Sequence, residues 1–226
     1  MTHRAFGKSF RRSIVVGLVL ASALGLAKIG YAAAYPGPVS RGDIVAAAER
    51  GPGPTKGPAD APVAMVEFSD FQCGYCRLFW KETLPKIEEQ FIRTQKVRFI
   101  YRHMAIRGEA SVLAAQAASC AHDQGKFWQY HDALWGKGMP LAFTSARLKS
   151  YAAELQLDEG PFAACLDSGK HAELVETETM WGYALRANGT PSFLLNGHLV
   201  IGAYPYEVFQ RALNELLTTP ASGGTK

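Results

Sequence analysis

Between residues 62 and 91 the chain passes from "PVAMVEF", a nearly unbroken apolar run, through "SDFQ" to "CGYC", and then into apolar positions at Cys76, Phe79, Trp80, Leu84, Ile87 and Phe91. The first run follows a Pro-rich stretch and has the length and composition of a buried strand; the later spacing is that of a helix. A strand running almost directly into a helix places the first cysteine where the helix begins. There the backbone N–H groups lack partners and the macrodipole is positive, so a thiol favours its anion. Cys73 is therefore expected to be an exposed nucleophile of low pKa. Cys76, one turn inward, resolves the mixed disulfide, with Gly74 and Tyr75 between them. Pro85 lacks a backbone donor and predicts a kink one turn earlier.

The rest of the chain supplies the neighbours of this unit. "KVRFIYR" (96–102) alternates as a second strand. "EASVLAAQAASCAH", "KFWQYHDALW", "TSARLKSYAAEL" (capped by Thr144 or Ser145) and "PFAACLDS" (with Pro161 at a first helical position) are helical, and another helix runs from about 171 to 185. "PSFLL" and "HLVIG" flank Asn196-Gly197, a strong hairpin signal. A last helix from about Pro205 buries Val208, Phe209, Ala212, Leu213, Leu216 and Leu217. This order predicts an α/β fold: a four-stranded mixed sheet flanked by helices, with a helical insertion.

The N-terminus bears on the cysteine chemistry. "MTHRAFGKSFRR" has four cations and no acid, Ile14–Ala27 carries no charge, and Ala32 and Ala34 suit cleavage after Ala34. Residues 1–34 thus read as a secretory signal. A membrane anchor is the alternative, although 14 apolar residues fall short of the about 20 a span needs. Removing this segment takes five cations and no anion, so the net charge falls from +4 to −1, which leaves no electrostatic case for binding nucleic acid. The remaining 192 residues suffice for one well-cored domain. Residues 35–60, rich in Pro and Gly around the short helical candidate "DIVAAAER", read as a linker or surface wrap. The expected location is periplasmic or extracytoplasmic, where disulfides persist.

A lone C-x-x-C can hold a metal, staple a fold or exchange electrons. A closed zinc site needs four ligands; no second C-x-x-C or His-x-x-x-His completes the set, and Cys120 and His122 lie at least 44 residues away. Copper(I) held by the two thiols, or a holdase that uses the helical face, is the competing binding-protein reading. As a staple, cysteines three apart close a tiny loop with little entropic gain, and such bonds are usually redox-active. Redox exchange explains the placement best. Glu67, a lone carboxylate in an apolar strand, is expected to have a raised pKa and to shuttle a proton for Cys76; a partly exposed structural Glu is the alternative. Pro191, after Thr190, opens a strand where it cannot donate to a ladder; a cis bond there turns the chain toward the cysteines, and an ordinary trans Pro is the alternative.

"EFSDFQCGYC", "AAQAASCAHDQGKFWQYHDALW" with "CLDSG", and "ANGTPSFLLNG" together resemble the DsbA-like branch of the thioredoxin superfamily, over roughly residues 60–217. The resemblance implies a thioredoxin fold, 61–103 and 171–218, interrupted by a helical subdomain, 104–170, with a tail at 219–226. It implies a cis bond at Pro191, Cys73 as the attacked sulfur, Cys76 as its partner, Glu67 as the buried acid, and Thr190-Pro191 as the loop against the disulfide. Clients would be folding secreted proteins, the reoxidant a quinone-linked membrane partner, and no diffusible cofactor or metal is required. Two departures stand out. Gly-Tyr replaces the Pro-His of the strongest oxidants, and Ala105 stands where this branch often has Pro. Gly-Tyr is similar to the dipeptide of disulfide isomerases, but residues 35–62 are too short for the dimerisation domain those carry. The direction of exchange, oxidase or isomerase, stays open.

Cys120 and Cys165 lie on separate helices; joined, they close a loop of about 45 residues worth roughly 4 kcal/mol in the chain-entropy model. A structural disulfide is expected, a regulatory pair or free thiols being the alternatives. Phe127, Trp128 and Trp135 read as core, and His122, His131 and His198 as structural. His103, which follows the second strand, reads as structural too, with approach to the site as the alternative. Phe71 and Tyr75 flank Cys73 as a candidate apolar apron for clients.

Overall fold

The computed structural model describes residues 39–137 and 143–219. The expected signal (1–34) and all of the expected tail beyond residue 219 lie outside them. Among the described residues the order is α1 (Arg41–Arg50), β1 (Thr55–Lys56), β2 (Val63–Ser69), α2 (Gly74–Leu78), α3 (Leu84–Ile87), β3 (Val97–His103), α4 (Glu109–Asp123), α5 (Phe127–Gly136), α6 (Ser145–Glu154), α7 (Glu159–Asp167), α8 (Ala172–Ala184), β4 (Ser192–Leu195), β5 (His198–Ile201) and α9 (Tyr206–Thr218). No helix among them is long and apolar enough to cross a membrane.

The sheet runs β1-β3-β2-β4-β5, parallel between β2 and β3 and antiparallel elsewhere. Side chains alternate across a strand, and β2 uses this to serve two cores. Val63 and Met65 join Phe79, Ile87, Phe99, Phe193, Phe209 and Leu213 under the α2–α3 run and α9. Val66 and Phe68 join Ile44, Ala48, Ile100, Met104 and Leu185 under α1 and α8. Glu67 has the parity of Val63 and Met65, so it faces the side carrying α2 and α3. The predicted hairpin is present: Asn196 and Gly197 both take positive φ, 45° and 81°, as a two-residue turn of this kind requires. Thr144 caps α6, accepting the Arg147 N–H at 3.3 Å. Helix α7 starts two residues before Pro161, which therefore sits inside its first turn.

Two expectations need correction, and a third takes a more specific form. The sheet has five strands rather than four among the described residues, because Thr55–Lys56 adds an antiparallel edge to β3. Two residues are too few to show a period, and their Pro- and Gly-rich flanks read as turn. The stretch expected to be a linker is a docked layer: Ser40 and Asp43 form a capping box on α1, and Ile44 and Ala48 are buried. The sequence could not reveal why, since the anchor is Arg102, some fifty residues on. Its buried guanidinium donates to the carbonyls of Ala48 (3.0 Å), Gly51 (2.8 Å) and Pro52 (2.6 Å), and pairs with Glu178 at 2.8 Å. Gly53, at φ 151°, lets this backbone wrap the guanidinium where a Cβ would collide with it. Finally, the feature before Pro85 is a π-helical turn, Phe79–Thr83, with the Leu84 N–H reaching back to Phe79 O. Widening the helix accommodates the missing donor, at the position one turn before Pro85 where the kink is expected.

The Arg102–Glu178 pair is buried on both sides, and Glu178 also accepts the His103 N–H at 2.7 Å. Removing one partner strands the other charge in the core, so Glu178→Ala is expected to cost about 3–5 kcal/mol. Urea unfolding of the variant against the parent measures it.

Candidate active site

The loop between β2 and α2 is organised by Asp70. Its buried carboxylate accepts from the Gln72 N–H (2.8 Å), the Ser111 hydroxyl (2.7 Å) and the N–H groups of Ile106 (2.8 Å) and Arg107 (3.1 Å). Its carbonyl accepts the Cys73 N–H at 2.8 Å. One residue thus ties the cysteine loop to the segment after β3 and to the start of α4. Sequence reasoning passed over Asp70 and Arg107. The signal was an acid in a short strand-to-helix loop, where unpaired N–H groups gather.

Cys73 occupies the N-cap of α2, and Cys76 lies in its first turn. The Cys73 pKa falls from 9.0 to about 5, first through the hydrogen bond from the Cys76 thiol, against the opposing cost of burial, and further through the N–H groups of Cys76 and Tyr75. The helix start contributes as expected, but its partner thiol matters more. Cys76 moves the opposite way, well above the usual thiol range, because of burial, its bond to Cys73 and the nearby Glu67.

The Thr190-Pro191 peptide is cis and lies over Cys73, whose sulfur is 3.1 Å from the Thr190 carbonyl oxygen. Ser192 donates to Gly189 O (2.6 Å) and Gly202 to Pro191 O (2.8 Å), which hold this loop in place. The Arg107 guanidinium approaches the sulfur to 3.7 Å from the other side. Cys73 is consequently buried, not exposed as the sequence suggested, roofed by a loop from residues far along the chain. Exposure falls to its neighbours Gly74 and Tyr75, the latter 66% accessible. Glu67, buried beneath the pair, has its pKa raised to about 8: burial dominates, the Ser69 hydroxyl opposes it, and charge on Cys73 adds to it.

Phe71 is not part of an exposed apron. It is buried, stacked on Tyr101 (5.6 Å between centroids) and tilted against Trp135 (5.0 Å), because the Asp70 turn directs it inward. His103 lies in the same aromatic group and bonds Ser119 at 3.0 Å, with no hydrogen bond to either sulfur; burial lowers its pKa to about 3. Phe127 and Trp135 are core, while half-buried Trp128 donates to Thr55 O at 3.1 Å. The insertion is latched to the active-site helix: Arg77 donates to Trp135 O (2.9 Å) and Trp80 to Asp132 (2.9 Å). An indole N–H can only donate, so the 3.0 Å contact from Trp135 makes His131 Nε2 an acceptor and leaves its Nδ1–H for Asp132. Cys120 and Cys165 are joined as a disulfide between α4 and α7.

A buried dithiol at a helix start, beneath a cis-proline loop and above a carboxyl group, defines a thioredoxin-type redox protein. Residues 49–215 match the family described as Thioredoxin, and the chain belongs to that family, in its DsbA-like branch. It is 31% identical over 150 residues to the probable disulfide bond formation protein D of Bacillus anthracis, covering 63% of this chain and 69% of that one. The crystal structure of oxidised BdbD from Bacillus subtilis superposes with TM-score 0.69 at 25% identity, over 74% of this chain and 94% of that one. A thioredoxin-like oxidoreductase from Silicibacter pomeroyi gives TM-score 0.65 at 29% identity, over 74% and 93%. The chain also matches bacterial proteins named as Na(+)/H(+) antiporters, among them one from Salinispora arenicola at 32% identity over 76% of this chain, but spans only about a quarter of their length.

Opposed shifts set a pH window in the reduced protein. A depressed Cys73 stabilises the fold fully above 9.0, and that contribution is lost as pH falls through about 5. A raised Glu67 contributes fully below 4.5, and its contribution is lost as pH rises through about 8. Thiolate absorbance of the reduced protein should titrate with a midpoint near 5. Arg107→Ala should move that midpoint upward, and an unchanged midpoint would mean the guanidinium is electrostatically idle.

Proposed function

We propose that the chain is an exported thiol:disulfide oxidoreductase that introduces disulfides into folding proteins through Cys73 and Cys76. The observation that carries this reading is the placement of Cys73 at the N-cap of α2, against Cys76 and beneath the cis Thr190-Pro191 loop, a placement that favours its thiolate. Stabilising the thiolate favours the reduced dithiol, which makes the disulfide form the stronger oxidant. That favours oxidation over isomerisation or reduction by the same site.

In the oxidising direction a client thiolate attacks the Cys73 sulfur of the Cys73–Cys76 disulfide. A mixed disulfide forms between client and Cys73, and Cys76 leaves with the electron pair. Glu67, neutral below about pH 8, gives it a proton. The client's second thiolate then attacks the client sulfur of the mixed disulfide. The client leaves oxidised by two electrons, and Cys73 is released as its stabilised thiolate. Arg107 is exposed, so its side chain can swing clear to admit the client. The client's main chain lies along the Thr190-Pro191 loop, in a pairing that does not depend on client sequence. Two electrons then pass to a quinone-linked membrane partner in the extracytoplasmic space.

Oxidation of a dithiol peptide tests this reading. Cys73→Ser should reduce the rate to that of the uncatalysed reaction, and Cys76→Ser, which cannot form the disulfide that the client attacks, should do the same. Glu67→Gln should slow turnover by about 10²-fold, the scale of a lost general acid, and remove the limb of the pH profile near 8. A strongly reducing potential for the pair, measured against glutathione, would overturn the oxidase direction; undiminished turnover in Cys73→Ser would overturn the reading itself.

A further inference from the structure

Away from the dithiol, three elements of the insertion converge. Cys120 and Asp123 lie in the last turn of α4, Cys165 lies on α7, and His171 immediately precedes α8. The donor atoms of Cys120, Cys165 and His171 are all within 4.8 Å of one another. Asp123 Oδ2 is 2.8 Å from His171 Nε2 and 3.8 Å from the Cys165 sulfur. A surface hollow lined by Cys120, Asp123, Cys165 and Lys170 opens onto this point.

We propose that reduction of the Cys120–Cys165 disulfide converts this cluster into a zinc(II) site with Cys120, Cys165, His171 and Asp123 as its four ligands. Two thiolates, an imidazole and a carboxylate form a donor set suited to tetrahedral zinc, with Zn–S near 2.3 Å and Zn–N and Zn–O near 2.0–2.2 Å. Such bond lengths put neighbouring donors roughly 3.2–3.8 Å apart; here the two sulfurs and the imidazole lie within 4.8 Å of one another and the Asp123 oxygen is 2.8 Å from the imidazole and 3.8 Å from the Cys165 sulfur, so small side-chain adjustments bring the set to that spacing once the sulfurs part. The cysteine Cα atoms are 5.9 Å apart, so parting the sulfurs needs side-chain rotation and little movement of α4 or α7. Lys170 sits 2.8 Å from Asp123 Oδ2 on an exposed side chain. It can yield that oxygen to the metal and remain beside it, balancing the single negative charge of zinc with two thiolates and a carboxylate.

The electrons come from a dithiol. One of its thiolates attacks the Cys165 sulfur, which is partly exposed where Cys120 is buried, and Cys120 leaves. The second attacks the first, and the dithiol departs as its own disulfide. Cys120 and Cys165 are left as thiols, and zinc displaces their two protons. Zinc then holds α4, α7 and the start of α8 together as the covalent bond held α4 and α7. This chemistry is independent of the CGYC reaction and stands if that reading fails.

The test uses the chain carrying Cys73→Ser and Cys76→Ser, in which Cys120 and Cys165 are the remaining cysteines. After reduction with a dithiol and removal of that reagent, the protein should retain one equivalent of zinc against a chromophoric chelator. Cobalt(II) in its place should show thiolate charge-transfer absorption and an intense tetrahedral visible band. His171→Ala and Asp123→Asn should each weaken zinc by about 10-fold or more. Loss of zinc to the chelator, an octahedral cobalt spectrum, or affinity unchanged in both variants would overturn the proposal. Should the reduced chain lose its helical circular dichroism, zinc must restore it, and a chain left unfolded with zinc present would count equally against the site.

Discussion

The Asp70 carboxylate is the interaction on which the site rests. It sits between three backbone segments that have no ladder to pair with: the loop ahead of Cys73, the turn at Ile106–Arg107 and the start of α4. Buried backbone donors need partners, and one carboxylate supplies them here. Because these bonds share an acceptor, the position of Arg107 beside the sulfur and the inward turn of Phe71 are fixed together. The aromatic packing of the insertion is therefore tied to the geometry of the thiol.

Around that thiol, burial and partners act in opposite directions. Desolvation alone would raise both cysteines. Cys73 escapes because the Cys76 thiol and the first-turn N–H groups face it, while Cys76 has burial, its bond to Cys73 and the Glu67 carboxyl beside it. Two like groups three residues apart are thus separated into an anion and a retained proton. The carboxyl of Glu67, placed on that side of the sheet by the two-residue period of β2, is kept neutral by the same burial.

What could be read from the sequence was what is local. The strand-to-helix passage at Phe68–Cys76, the Asn196-Gly197 turn, the cap at Thr144 and the apolar face of α9 are each set by residues a few positions apart, and they stand as expected. Features set by distant partners were not legible. The burial of Cys73 depends on Thr190, and the docking of α1 on Arg102. Strand β1 is too short to carry a period, and Phe71 looked exposed only because the turn that directs it inward belongs to Asp70.

Arg102 also has a consequence for the order in which the molecule assembles. Its donors bind carbonyls near residue 50, and its charge is met by Glu178. A ribosome releases the first of these groups long before the last, so while residues 103–178 are being made the guanidinium has its carbonyls but no counter-charge, and desolvating it then is unfavourable. The N-terminal layer, though made first, is completed only when α8 has left the exit tunnel. Its seating is among the late events in the life of the nascent chain.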